Sequence, residues 1–144
     1  MGVSLTYQTT KPVSAVVKRA VLSDAASLNR EREWWGESFI FFEVPRKGKG
    51  PTPLTGDTKL FRPAADEGDD TFMASRDAAF ILQQLVRWSR EHGLNWTLEM
   101  AGAEIGTITG GAVQPAGLFQ WDQPETAADR RRAARLRRRY VELE

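Results

Sequence analysis

Ser75–Met100, SRDAAFILQQLVRWSREHGLNWTLEM, contains a helix, a stop and a strand in immediate succession. Ala78, Ile81, Leu82, Leu85, Trp88 and Ser89 recur at three- and four-residue spacing, which places them on one face of a helix. Gln83, Gln84, Arg87, Arg90 and Glu91 fall mostly on the other side. Ser75 is placed as the N-cap, because its hydroxyl can accept a free N–H of the first turn. Asp77 suits the positive end of the helix dipole. Gly93 supplies a residue that can turn left-handed without a Cβ penalty. After it, Leu94, Trp96, Leu98 and Met100 alternate with Asn95, Thr97 and Glu99, the pattern of a half-buried strand. A helix followed directly by such a strand is the packing unit of a two-layer α/β sandwich.

Towards the N-terminus, Ala64–Thr71 (AADEGDDT) reads as an acidic loop and Thr58–Arg62 as a short strand. Arg46–Asp57 is rich in Gly and Pro and reads as a mobile connection. Trp34–Val44 (WWGESFIFFEV) carries large apolar side chains on both alternating faces. It is therefore expected as a central strand covered on both sides, ended by Pro45. Thr10 with Pro12 predicts the start of a helix that runs to about Arg30. Val13, Val17, Ala20, Val21 and Leu28 form its apolar face. Val3–Thr9 alternates and reads as the first strand.

Towards the C-terminus, Ala101-Gly102-Ala103 predicts a tight turn and Glu104–Thr109 a returning strand, broken at Gly110-Gly111. Ala112–Pro124 has no clear period, although Leu118, Phe119 and Trp121 are expected to dock on the body. Thr126 and Asp129 form a capping box. The final helix carries Ala133, Leu136, Tyr140 and Leu143 as a narrow apolar stripe. The expected fold is α+β: a two-layer sandwich with a ferredoxin-like βαββαβ plait, an extra hairpin strand and a C-terminal helix. Residues 1–123 form the α+β domain, and 124–144 are an arginine-rich amphipathic helix.

The chain has 144 residues and no cysteine, which excludes disulfides, thiolate nucleophiles and Cys-based zinc sites. No apolar run approaches the ~20 residues of a membrane span. No basic leader precedes an apolar run at the N-terminus, so a cytoplasmic protein is expected. Net charge is +1, but unevenly spread. The last 21 residues carry seven arginines and four acids; the rest of the chain carries 13 bases and 15 acids.

The candidate chemistry is sparse. His92 is the sole histidine, so a triad or a His-based metal site has nothing to build on; a cation at the helix end suits the last carbonyls. The acidic run Asp66, Glu67, Asp69, Asp70 lacks calcium-loop spacing. Glu37 and Glu43 would stand roughly 20 Å apart on a strand, too far for paired acid–base work. Neither a metal nor a cofactor is expected.

Two features point to partners. Arg130, Arg131, Arg132, Arg135, Arg137, Arg138 and Arg139 wrap most of the last helix and suit carboxylate or phosphate. Trp35, Glu37 and Trp121 are a candidate interaction surface. The leading expectation is a non-catalytic binding or regulatory domain that engages a protein partner, or a second copy of itself, through an exposed sheet face and the basic helix. Nucleic-acid binding by the arginine-rich helix is the alternative. A small-ligand-binding protein or enzyme, with a pocket near Trp35 and Glu37, is the third.

Overall fold

The computed structural model describes residues 3–42, 50–60 and 67–140. The elements are β1 (Val3–Thr9), α1 (Ala15–Glu31), β2 (Phe41–Phe42), β3 (Thr55–Leu60), α2 (Glu67–His92), β4 (Trp96–Met100), β5 (Ala103–Thr109), β6 (Ala112–Gln114) and α3 (Ala127–Tyr140). The fold is α+β: three helices and one six-stranded antiparallel sheet in the order β2-β3-β1-β4-β5-β6.

Alternation in β1 and β4 does what the period predicts. Leu5, Tyr7 and Thr9 are buried, as are Trp96 and Leu98. They face Val21 and Ala25 of α1 and Ile81, Leu82, Leu85 and Trp88 of α2 in one core. Leu85 and Trp96 are fully buried. The opposite face of the sheet presents Thr6, Gln8, Lys59, Thr97 and Glu99, a polar surface.

Both long helices begin elsewhere than the capping residues suggest. Ser14, not Thr10, caps α1: its Oγ accepts the N–H of Val17 at 3.3 Å. Val13, just before it, is tied to Thr52 as an isolated bridge, which holds the Thr10–Val13 stretch extended. α2 starts two turns before Ser75, so residues 67–71 are helical rather than a loop. The added turns bring Met73 into a buried position. Gly93 (φ 69) ends α2 as expected.

The Trp34–Val44 segment departs furthest from expectation. It is not a central strand. Among the described residues only Phe41–Phe42 form a strand, and β2 is the outermost strand. Ile40 and Phe42 are exposed at 44% and 47%. Glu37 N–H still donates to the Lys59 carbonyl (3.0 Å) and the Ile40 carbonyl accepts the Asp57 N–H (2.8 Å), but other backbone groups are taken by side chains. Asn29 Nδ2 donates to the Phe39 carbonyl (2.9 Å), and Asn29 Oδ1 accepts the Phe39 N–H (3.0 Å). Asp77 accepts from the N–H groups of Trp35 and Gly36. With these groups satisfied, the chain bends and sends Trp34, Trp35 and Phe39 inward.

β3 begins at Thr55, inside the stretch expected to be mobile. Thr9 N donates to the Leu54 carbonyl, and Leu54 N donates to Thr9 Oγ1, so Leu54 is buried beside β1. Residues 46–49 and Asp66 lie outside the described residues, as do Glu43 and Leu143. Gly110 and Gly111, both at positive φ, form a two-residue turn into β6, a sixth strand too short to show a period.

Candidate functional site

α3 starts where the sequence predicts. Thr126 Oγ1 accepts the Asp129 N–H (3.0 Å), and Asp129 Oδ2 accepts the Thr126 N–H (3.1 Å). The Thr126 N–H holds the Asp129 carboxyl below its usual range, with Arg76 and Arg132 adding to the pull. This is a complete capping box.

The apolar stripe of α3 packs on the body. Leu136 is 1% exposed and meets Trp35 and Met73, with Phe72 and Ala133 at the edge. Trp35 is thus covered by α3, and Trp34 faces the other way onto Phe39 and Phe80. Two arginines reinforce the seam. The Arg137 guanidinium lies 4.1 Å from the Trp35 ring centroid, and Arg132 lies 4.5 Å from that of Phe72. Arg137 also donates to the Glu33 carbonyl (2.8 Å) and pairs with the Glu33 carboxylate (3.4 Å).

Beneath this seam lies a buried clamp. Asp77 is fully buried and accepts from Arg32 Nη2 (2.9 Å), Trp35 N–H (3.0 Å) and Gly36 N–H (2.9 Å). Burial pushes its carboxyl above the ordinary range, against the pull of the Gly36 N–H and the Arg32 charge. Arg32 also lies over the Trp34 and Phe80 rings. Asp77 therefore serves to hold the Arg32–Gly36 corner in the shape that α3 covers.

The seven arginines divide by helix geometry. Arg132 and Arg139 flank the seam on one side. Arg130 and Arg137 face a cleft on the other. Arg131, Arg135 and Arg138 are exposed and form an outward stripe, of which Arg138 also borders the cleft. At ~1.5 Å rise per residue, Arg131 and Arg138 stand roughly 10 Å apart along the axis. Among the described residues, none of these three has an ion-pair partner.

The cleft lies between the end of α1, the middle of α2, residues 123–125 and α3, with a volume of about 950 Å³. Leu28, Ala79, Phe80 and Ala134 give it apolar lining. Arg76, Arg130 and Arg138 supply cations, and Glu31 and Glu33 supply carboxylates at the α1 end. It is a site between helices, which no short-range pattern in the chain announces.

Trp35, Glu37 and Trp121 do not converge. Trp35 lines the cleft from under α3. Glu37 accepts the Lys59 N–H (3.0 Å) at the β3 edge. Trp121 packs on the main core, and its carbonyl accepts from Gln83. His92 is the last residue of α2, 4.0 Å from Glu91. Among the described residues, no group of three His, Cys, Asp or Glu is placed to hold a metal, and no helix is long and apolar enough to cross a membrane. Compared with protein-family models, curated proteins and solved structures, the chain matches none.

Proposed function

We propose that this chain is a non-catalytic binding domain, built on a ferredoxin-like plait, that engages an acidic protein partner through the outward face of α3. Support for the plait comes from the order β2-β3-β1-β4, with α1 and α2 each crossing between strands separated by one antiparallel neighbour. β5, β6 and α3 are additions to it.

The observation that carries the binding reading is the outward stripe of Arg131, Arg135 and Arg138 on a helix whose apolar side is already docked. Docking leaves the arginines ordered and without described carboxylate partners. Arginine is enriched at protein-binding hot spots, where its planar fork takes a carboxylate in two hydrogen bonds. The charge pattern favours protein over nucleic acid. The sequence pI is about 8.1, below the >9 typical of a nucleic-acid-binding domain. Glu31, Glu33 and Glu125 interrupt the basic surface beside α3. A phosphate track would be repelled there, whereas a protein of mixed charge would not. The exposed apolar residues of the sheet, Ile40 and Phe42, stand at its β2 edge and carry no charge, so α3 is assigned as the contact for an acidic partner.

The test is a titration with poly-L-glutamate and with RNA of equal charge number at two salt concentrations. The wild type should bind the polypeptide at least tenfold more tightly than the RNA. The triple variant Arg131→Glu, Arg135→Glu, Arg138→Glu should abolish binding. Tighter RNA binding, with a log–log salt slope of about −0.7 per phosphate, would replace this reading with the nucleic-acid one.

A further inference from the structure

The outward stripe and the cleft share a border along α3. Around the helix, Leu136 marks the docked face, Ala134 and Arg137 the cleft face, and Arg131 and Arg135 the stripe. Arg138 belongs to both the stripe and the cleft wall. Ala134, an exposed residue of that wall, lies three residues from Arg131 and four from Arg138. Side chains at those spacings are surface neighbours, about 5–6 Å apart. Whatever lies along the stripe therefore stands at the mouth of the cleft. Inside the cleft, charges of both signs meet at each end. Glu33 pairs with Arg137 at the α1 end. At the other end Arg76 pulls on the Asp129 carboxylate, and Arg130 donates to the Glu125 carbonyl. An ion gains little at either end. Leu28 of α1, Ala79 and Phe80 of α2 and Ala134 of α3 supply the apolar lining.

We infer that the acidic partner of α3 carries an aromatic side chain that this cleft takes as its anchor, flanked by the carboxylates that reach the stripe. This rests on the acidic-partner reading and adds what the stripe lacks, a contact shielded from water. Exposed ion pairs alone bind weakly, and interface affinity concentrates in aromatic side chains seated in pockets. Such a side chain brings ~150–250 Å² to bury. The cleft, at about 950 Å³, holds it together with the backbone that carries it. Phe80 gives the ring an aromatic partner. The spacing also fits. Arg131 and Arg138 stand roughly 10 Å apart along the helix axis, the span of about three residues of extended chain at ~3.3 Å each. Carboxylates at that separation meet both guanidinia. A side chain between them reaches past Ala134 into the cleft.

The probes are two short labelled peptides of equal length and charge: glutamates around one central tryptophan, and the same peptide with alanine at its centre. Fluorescence anisotropy gives each affinity. The wild type should prefer the tryptophan peptide at least tenfold, the loss expected when a seated aromatic is truncated. Ala134→Trp, at an exposed position, should fill the cleft and cut that preference below twofold. Arg131→Glu should weaken both peptides together, at least fivefold, since a charge-assisted contact becomes a repulsion. Circular-dichroism melts confirm that each variant is folded. A third peptide, with benzoylphenylalanine at its centre, reports the seat without any substitution in the protein: on irradiation it should crosslink within 76–83 or 133–138. Equal affinities for the first two peptides, a preference that survives in folded Ala134→Trp, no loss in Arg131→Glu, or crosslinks confined to other segments such as 40–42 would overturn the anchor. Equal binding of the two peptides removes the anchor and leaves the acidic-partner reading standing. Failure of both to bind the wild type removes that reading and the anchor with it, so the two failures are distinguishable.

Discussion

Leu136→Ala should release α3 from the body while the sheet stays folded. Leu136 is 1% exposed and is the deepest contact of α3, against Trp35 and Met73. Truncating a core leucine costs ~2–5 kcal/mol, from lost transfer energy and the cavity left behind. The rest of the seam is weaker. Ala133 is half-buried. The Arg137–Trp35 and Arg132–Phe72 contacts contribute ~0.5–2 kcal/mol each. The Arg137–Glu33 pair contributes little, because Glu33 is 82% exposed and exposed pairs are worth ~0–1 kcal/mol. α3 therefore stands on Leu136 for about half of its docking energy. An undocked 14-residue helix is marginal in water, so undocking also melts it. Hydrogen exchange followed by mass spectrometry reads this directly. Peptides within 127–140 should exchange at least 30-fold faster, since ~2 kcal/mol corresponds to that ratio. Peptides within 3–9 and 96–100 should keep their protection. Unchanged exchange in 127–140, or an equal loss in β1 and β4, would refute the view of α3 as a separately docked element.

Three further outcomes are expected. Asp77→Ala should lower stability by ~3–5 kcal/mol in urea melts, because it leaves the Arg32 charge without its buried partner; a loss under ~1 kcal/mol would show that the clamp is idle. Gly56→Ala should cost ~1–3 kcal/mol by overpacking, because a Cβ there runs into the Tyr7 ring; a melt indistinguishable from wild type would contradict that packing. Burial raises the pKa of Tyr7 well above the ordinary tyrosine value. Above pH ~10 the unfolded chain gives up this proton while the folded chain keeps it, so stability falls as pH rises. Tyr7→Phe should flatten that alkaline slope in melts between pH 9 and 11, and equal slopes in the two proteins would count against a buried, protonated Tyr7.

What could be read from the chain follows the range of the forces involved. The apolar period from Ala78 to Trp88, the stop at Gly93 and the alternation from Leu94 to Met100 are local. They appear as α2, its end and β4. The Thr126–Asp129 box is local too, and it starts α3. The Trp34–Ile40 path was not legible, because the groups that bend it, Asn29 and Asp77, lie up to 42 residues away. Ser75 misled because its hydroxyl would suit a cap, whereas the helix already runs for two turns before it. The cleft was invisible for the same reason as the bend. Phe80, Arg76 and Arg138 come to line one cleft only after α3 folds back over the Trp35 corner. Trp35, Glu37 and Trp121, grouped by residue type, end in three different environments.

The apolar stripe and the arginines of α3 look like competing designs until the docking is in place. A phosphate- or carboxylate-binding helix needs no apolar stripe for its contacts. It needs one to be ordered beforehand. Bound to Trp35, α3 presents Arg131, Arg135 and Arg138 without the entropy loss that a free tail would suffer on binding. Linkage then ties docking to ligand. Anything that contacts only the docked helix stabilises it by RT ln(1 + [L]/Kd), about 2.7 kcal/mol at a hundredfold excess over Kd. That matches the lower half of the loss expected from Leu136→Ala. A true ligand of the stripe should therefore restore exchange protection to 127–140 in that variant, while leaving 3–9 unchanged. A molecule that binds elsewhere on the body would leave 127–140 unprotected.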